Sequence, residues 1–128
     1  MMLTKELWQQ AFTYIFGGYA VIMGLMPGKM VTDNFNAPAT PMLEFWIRGE
    51  SIQVGGLVYC LSIMPTAQAF DITLAVLIAT GILYPLNAVF GFIGGKMPVK
   101  YTGFPNHRVP EILFTGMIAS GLYLKFLA

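Results

Sequence analysis

Charge is scarce in this chain. Seven Lys and Arg and six Asp and Glu among 128 residues make it 10% charged, against about 25% in an ordinary soluble domain. A formal net charge of +1 with scattered basic residues cannot build the basic stripe that nucleic-acid binding requires, so no nucleic acid is expected as a partner. Cysteine is rarer still. Cys60 alone rules out an internal disulfide or thiolate cluster, and in an apolar helix it reads as a buried, unreactive thiol. One histidine, His107, leaves no bis-histidine haem and too few N and S ligands for zinc. There is no Ser/His/Asp set, no Cys/His nucleophile pair and no phosphate-binding glycine loop, so no catalytic residue is assigned and the chain is not expected to be an enzyme.

What is abundant is apolar. The chain is 56% hydrophobic, with a mean hydropathy of +0.67. A domain this small leaves much of its surface exposed and cannot hide such a composition from water, so the expectation is an integral membrane protein. Four apolar segments, about 7–26, 41–64, 70–93 and 110–127, each approach the ~20 residues that cross a hydrocarbon core. They predict an all-α, four-transmembrane-helix bundle forming a single domain over 1–128. Pro27 and Gly28 end the first segment. Thr40 stands as N-cap of the second, with Pro41 at its first helical position. Gly94 and Gly95 close the third, and the fourth opens at "VPEILF" with Glu111 in its first turn. The first segment is too long for a signal-peptide h-region and lacks a small-x-small cleavage site, so it is read as a span.

Four spans place both termini on one face. The opposite face carries the links 27–41 and 94–109 and five basic residues (Lys29, Arg48, Lys96, Lys100, Arg108), against Lys5 and Lys125 on the first. The positive-inside rule then makes the loop-rich face cytoplasmic, stromal or matrix, with the termini in the opposite compartment.

Each segment carries a stripe of small or polar residues at helical spacing, the kind of face on which helices approach closely in lipid. The stripes are Gln10, Gly17, Gly24 and Gly28 beside Tyr14; Glu44, Arg48, Ser51, Gly55 and Ser62; Thr73, Thr80, Asn87 and Gly94; and Gly116, Ser120 and Tyr123. Glu44 and Arg48 are four apart, as a helix ion pair would be. Together with Asn87 and Glu111 they predict a polar layer near the loop-rich face. A structural clamp is favoured over an ion path, because these groups stay near one face and no ionisable chain continues toward the other. Glu50 points elsewhere and is expected to snorkel, pair with a loop lysine or contact a partner. Pro85 in "LYPLNAVFG" is read as a kink in preference to a broken helix lining a site. His107 could ligate a metal or a chlorophyll magnesium, but a lone loop histidine is more often an ordinary polar residue. Trp8 and Trp46 fit an aromatic belt at opposite faces, and the nine methionines read as gap-fillers.

Four short helices, an Arg-Gly step in "FWIRGESIQVGGLVYCLSIM" and a last helix entering through "PEILFTGMIASGLYL" resemble the DoxX-like group of small membrane proteins, from about Tyr14 to Leu124. The resemblance implies the four-helix plan and matches Arg48 to that group's second-helix arginine. It also implies an association of some members with quinone-linked or thiol-linked redox systems, of which a lone Cys60 does not fit the thiol kind.

The functional expectation is a non-catalytic accessory subunit of a larger energy-converting membrane complex, a photosystem in a plastid thylakoid ahead of a respiratory assembly in a mitochondrial inner membrane. It would pack against other subunits and lipids, with chlorophyll, carotenoid or lipid as conceivable bound groups and "TDNFNAPATP" as a docking segment. The alternative is a small carrier or quinone-binding redox protein with a polar site of Arg48, Glu111 and Asn87.

Overall fold

The computed structural model describes residues 2–95, 97–98 and 109–128, without the side chains of 84, 85, 88, 89 and 109–111. The described elements are helical: α1 (Lys5–Leu25), α2 (Pro27–Asn34), α3 (Pro41–Ser62), α4 (Thr66–Gly81), a π-helical turn (Ile82–Leu86), α5 (Asn87–Phe90) and α6 (Val109–Phe126). The all-α expectation therefore holds at that level. Among the described residues no single helix is both long and apolar enough to cross a membrane. Only α1 and α2 together reach that length and composition, and they bend by 108° at their junction.

Local chemistry explains the boundaries. Thr4 caps α1 by accepting a hydrogen bond from Leu7 N at 3.1 Å, and Thr40 caps α3 from Leu43 N at 3.2 Å with Pro41 behind it. Met26 leaves helical geometry (φ −133°, ψ 59°), and Pro27, which has no N–H to lose, starts α2 in a new direction. The link 27–41, expected as a loop, thus contains a helix. The chain is helical without a break from Thr66 to Phe90, but Pro85 cannot donate to the ladder, and the bonding widens to the π pattern over Ile82–Leu86. Pro85 accordingly sits inside a continuous helical path. That path ends at Gly91, whose left-handed φ of 70° suits glycine and whose N–H closes on Asn87 O at 2.7 Å.

Helix α1 is the centre of the packing and touches α3, α4 and α6. Its contact with α3 runs along small residues. A Cβ on Gly17 would lie 3.9 Å from Val58, one on Gly55 would lie 3.8 Å from Ala20, and one on Gly24 would come within 3.2 Å of the Ser51 hydroxyl. The stripes expected on the first two spans meet here, except that Gln10 and Tyr14 are exposed and Gln9 turns inward in their place. The other contacts of α1 are filled by large side chains. Trp8, Phe12, Leu61, Phe70, Leu74, Leu77 and Met117 form one cluster at the end where the chain begins and finishes. Trp8 is 1% exposed and belongs to this core, not to an aromatic belt; Trp46, at 66%, is exposed, and Cys60, expected to be buried, is exposed as well because it lies on the side of α3 away from α1. Lys5 lies over the Phe70 ring at 4.8 Å and Lys125 pairs with Asp71 at 2.8 Å, so both chain ends sit at the same end of the bundle.

Candidate functional site

Three places in the molecule gather polar chemistry or space. The first is the end of α1 where Glu44 and Arg48 lie. The last carbonyls of a helix have no partner of their own, and a cation there complements the dipole. Arg48 meets that need: its Nε donates to Gly24 O in the last turn of α1, at a long 3.3 Å, while the residue stays exposed. Glu44 is half-buried, and its Oε1 lies 2.6 Å from where a Cβ on Gly28 would stand, so glycine at 28 leaves the room that the carboxylate fills. No ion pair joins Glu44 to Arg48 among the described residues, although both face α1 and α2 as the spacing implies.

Asn87 does not join them. It is buried, and its side chain closes its own turn, with Nδ2 donating to Ile93 O at 3.0 Å and Oδ1 accepting from Ile93 N at 2.5 Å. Both ends of the amide are therefore committed to the segment after α5. Glu111 falls in the first turn of α6 with its side chain outside the description, and His107 lies outside the described residues. Of the four expected members of the polar layer, the structure brings together Glu44 and Arg48, around the ends of α1 and α2. A hydrogen bond from Asn36 N to Pro98 O, 2.6 Å, ties the two links at this end of the bundle.

The second place is buried at the opposite end. Trp8 Nε1 donates to Met117 O at 3.0 Å and lies 3.1 Å from Ser120 Oγ, and Gln9 Nε2 donates to Thr73 Oγ1 at 2.8 Å with Thr73 fully buried. Gln9 Oε1 is buried without a partner. These bonds join α1 to α4 and α6 where apolar packing alone would leave the register free. Thr73→Val is expected to cost about 1–3 kcal/mol, because it strands the whole Gln9 amide in the core. The double variant with Gln9→Leu should recover most of that loss, since no buried polar group remains. Chemical unfolding of the three variants measures the coupling; simply additive losses would show that the bond carries no such weight.

The third place is a cavity of about 330 Å³ bounded by five elements. α1 contributes Phe16, Tyr19 and Met23; α2 and the residue after it contribute Met30, Val31, Asn34 and Phe35; α3 contributes Ile47, Glu50 and Val54; α4 contributes Thr80 and α6 Phe114. Its wall is aromatic at one side, where Phe16 meets Phe114 edge-on at 5.4 Å and Tyr19 at 6.3 Å. Glu50 is the only charged residue among the described lining, and no hydrogen bond or ion pair to another described residue engages it. Arg48 is not on this wall.

Sequence reasoning misses this cavity because a third of its lining comes from α2 and the residue after it, in a link where the sequence suggests a loop. The signal was present in Pro27 at a helix start, followed by Met30, Val31 and Asn34 at helical spacing. No family model matches the chain, and no curated protein or solved structure shows significant similarity to it.

Proposed function

We propose that the chain is a membrane-embedded, non-catalytic accessory bundle whose outer faces pack against neighbouring subunits and lipid in a larger energy-converting assembly. The observation that carries this reading is where the large side chains go. Phe45, Trp46, Ile52, Tyr59, Ile63, Ile82, Leu83, Phe90, Phe92, Ile112 and Phe126 are all more than half exposed, on α3, the π-helical turn, α5 and α6 and just after α3 and α5. Isolated exposed apolar residues need no explanation, but Phe45, Ile52 and Tyr59 recur every seven residues on one face of α3, and an exposed apolar face suits lipid or protein. The four long helical paths, with Thr66 to Phe90 taken as one, then serve as four spans. Lys5, Asp71 and Lys125 sit at one boundary, and Glu44 and Arg48 at the other. On this reading the resemblance to the DoxX-like group is one of helix plan, the loop-rich end faces the stroma or matrix, and a thylakoid is preferred to a mitochondrial inner membrane.

Sizing native membranes in mild detergent tests it. The chain is expected to migrate with a large pigmented or respiratory particle. Recovery only as a small isolated bundle would overturn the accessory role, and recovery in the soluble fraction without detergent would overturn the membrane setting.

The cavity favours a second reading, a small carrier or quinone-binding protein. Arg48 and Asn87, offered for that role by the sequence, are respectively off the cavity wall and occupied with Ile93. A quinone would therefore have to find its donors elsewhere.

A further inference from the structure

We propose that the cavity between α1, α2 and α3 binds a neutral ring system without polar substituents, of the size of two fused six-membered rings, held by contact alone. The inference goes beyond the accessory role and does not depend on it. The volume, about 330 Å³, sits at the small end of the ~300–1,000 Å³ typical of small-molecule sites. It is about twice the ~150 Å³ of an engineered apolar cavity in another protein that takes one benzene. Two rings are therefore the size it admits.

The chemistry of the wall selects among occupants. The wall is almost entirely apolar. Thr80 and Asn34 turn hydrogen bonds onto their own helices, with Thr80 Oγ1 donating to Val76 O and Asn34 Nδ2 to Met30 O, both at 2.8 Å. Glu50 is exposed, so it lines such a wall with its methylenes. A water molecule in a cavity needs about two to four polar partners, and a wall of this kind holds it poorly. A ligand bearing a charge would lose its hydration there without replacement, which is unfavourable. Among apolar occupants the wall favours rings over chains. Phe16 meets Phe114 edge-on at 5.4 Å and Tyr19 at 6.3 Å, so three aromatic side chains gather at one side, and ring-on-ring contacts add to what buried area alone provides. Met23 and Met30 bring polarizable side chains to the same lining, and sulfur against a ring edge is a favourable contact. A flexible chain would also lose bond rotations on entry, a cost that a rigid ring does not carry.

The test is methyl NMR on the full chain, labelled with carbon-13 at methionine and held in phosphatidylcholine nanodiscs, with naphthalene as the probe. Met23 and Met30 line the cavity, whereas Met42 is exposed and away from it. Naphthalene is expected to shift Met23 and Met30 saturably and to move Met42 only in linear proportion to the amount dissolved in the bilayer. With concentrations counted in the bilayer, decane should bind about threefold or more weaker than naphthalene, and 2-naphthoate about tenfold or more weaker; both are read by displacement. Ile47→Phe, which adds a ring to the space, should abolish saturation with an unchanged circular dichroism spectrum. Phe114→Leu, which keeps the wall apolar and removes one aromatic face, should weaken naphthalene about threefold to tenfold. Unsaturable shifts of equal slope at Met23, Met30 and Met42 would overturn the proposal, because they mean dissolution in lipid. So would decane or naphthoate bound as tightly as naphthalene, or saturation retained in a folded Ile47→Phe. Unchanged naphthalene affinity in Phe114→Leu would overturn it too, and this variant decides the matter should Ile47→Phe fail to fold.

Discussion

Trp8→Ala is expected to destabilise the bundle by about 3 kcal/mol, the lower end of the range for removing a buried tryptophan or phenylalanine. Trp8 is among the largest fully buried side chains and meets the Phe70 ring edge-on at 4.9 Å. Its removal leaves a cavity between α1, α4 and α6 and takes the indole donor away from Met117 O. In the proposed membrane setting the transfer of apolar surface from water is absent as a force between helices, so the loss comes from vacated contacts and the missing bond, which is why the low end applies. Trp8→Phe separates the two contributions. It keeps most of the ring volume and lacks only the donor, so about 1 kcal/mol, the net worth of a neutral hydrogen bond, is expected. Unfolding in mixed micelles followed by far-UV circular dichroism gives both values. Equal losses for Phe and Ala would mean that the hydrogen bond dominates; no loss for Ala would mean that this end of the bundle is not close-packed.

The helical plan was legible because its signals are local. Thr40 and Pro41 announce α3, Pro27 ends α1, and apolar composition sets the lengths, so the expected segments 41–64 and 110–127 differ from the observed helices by only a residue or two at each end. The third segment was harder. It was expected to start at 70, yet the helix begins at Thr66, because Pro65 is the last residue before it that cannot sit in a helix interior and nothing in "TAQAF" opposes helix.

The polar residues were the least legible, and the reason is geometric. Helical spacing says which residues share a stripe, but not which stripe turns toward which neighbour. Arg48 and Glu44 do share a face, and the partners they use, the Gly24 carbonyl and the space over Gly28, belong to the end of α1 and the start of α2. No periodicity in α3 encodes those partners. Asn87 has the right spacing to Thr73 and Thr80, but its amide was free to choose a backbone six residues on, and that depended on the left-handed turn at Gly91. Gln9 and Gln10 are adjacent and identical in chemistry. Which of the two is buried was decided by where Thr73 lies.

The same limit applies to glycine, and it leads to the second large effect. Gly116 heads the small-residue ridge that spacing assigns to the last helix, yet a Cβ placed there meets nothing within 4 Å. The close approach is at Gly121, where a Cβ would stand 2.7 Å from Leu74 Cδ1 and 2.8 Å from Trp8 Cζ2. Leu74 can rotate its methyl away. Trp8 cannot turn without leaving Met117 O and the Phe70 ring. Two opposing effects decide the outcome of a substitution. Replacing a mid-helix glycine gains up to ~1 kcal/mol in helix propensity, whereas forcing extra atoms into a filled core costs about 1–3 kcal/mol. Gly121→Ala should therefore come out mildly destabilising. Gly121→Leu, whose added branch has nowhere to go, should lose about 3 kcal/mol, at the top of that range. Gly116→Ala, with open space around it, should gain up to ~1 kcal/mol. Measured side by side in one unfolding assay, the two glycines of α6 should move in opposite directions. If Gly121→Leu is tolerated while Gly116→Ala destabilises, α6 is rotated relative to α1, and the Trp8 cluster is not the contact that holds the last helix.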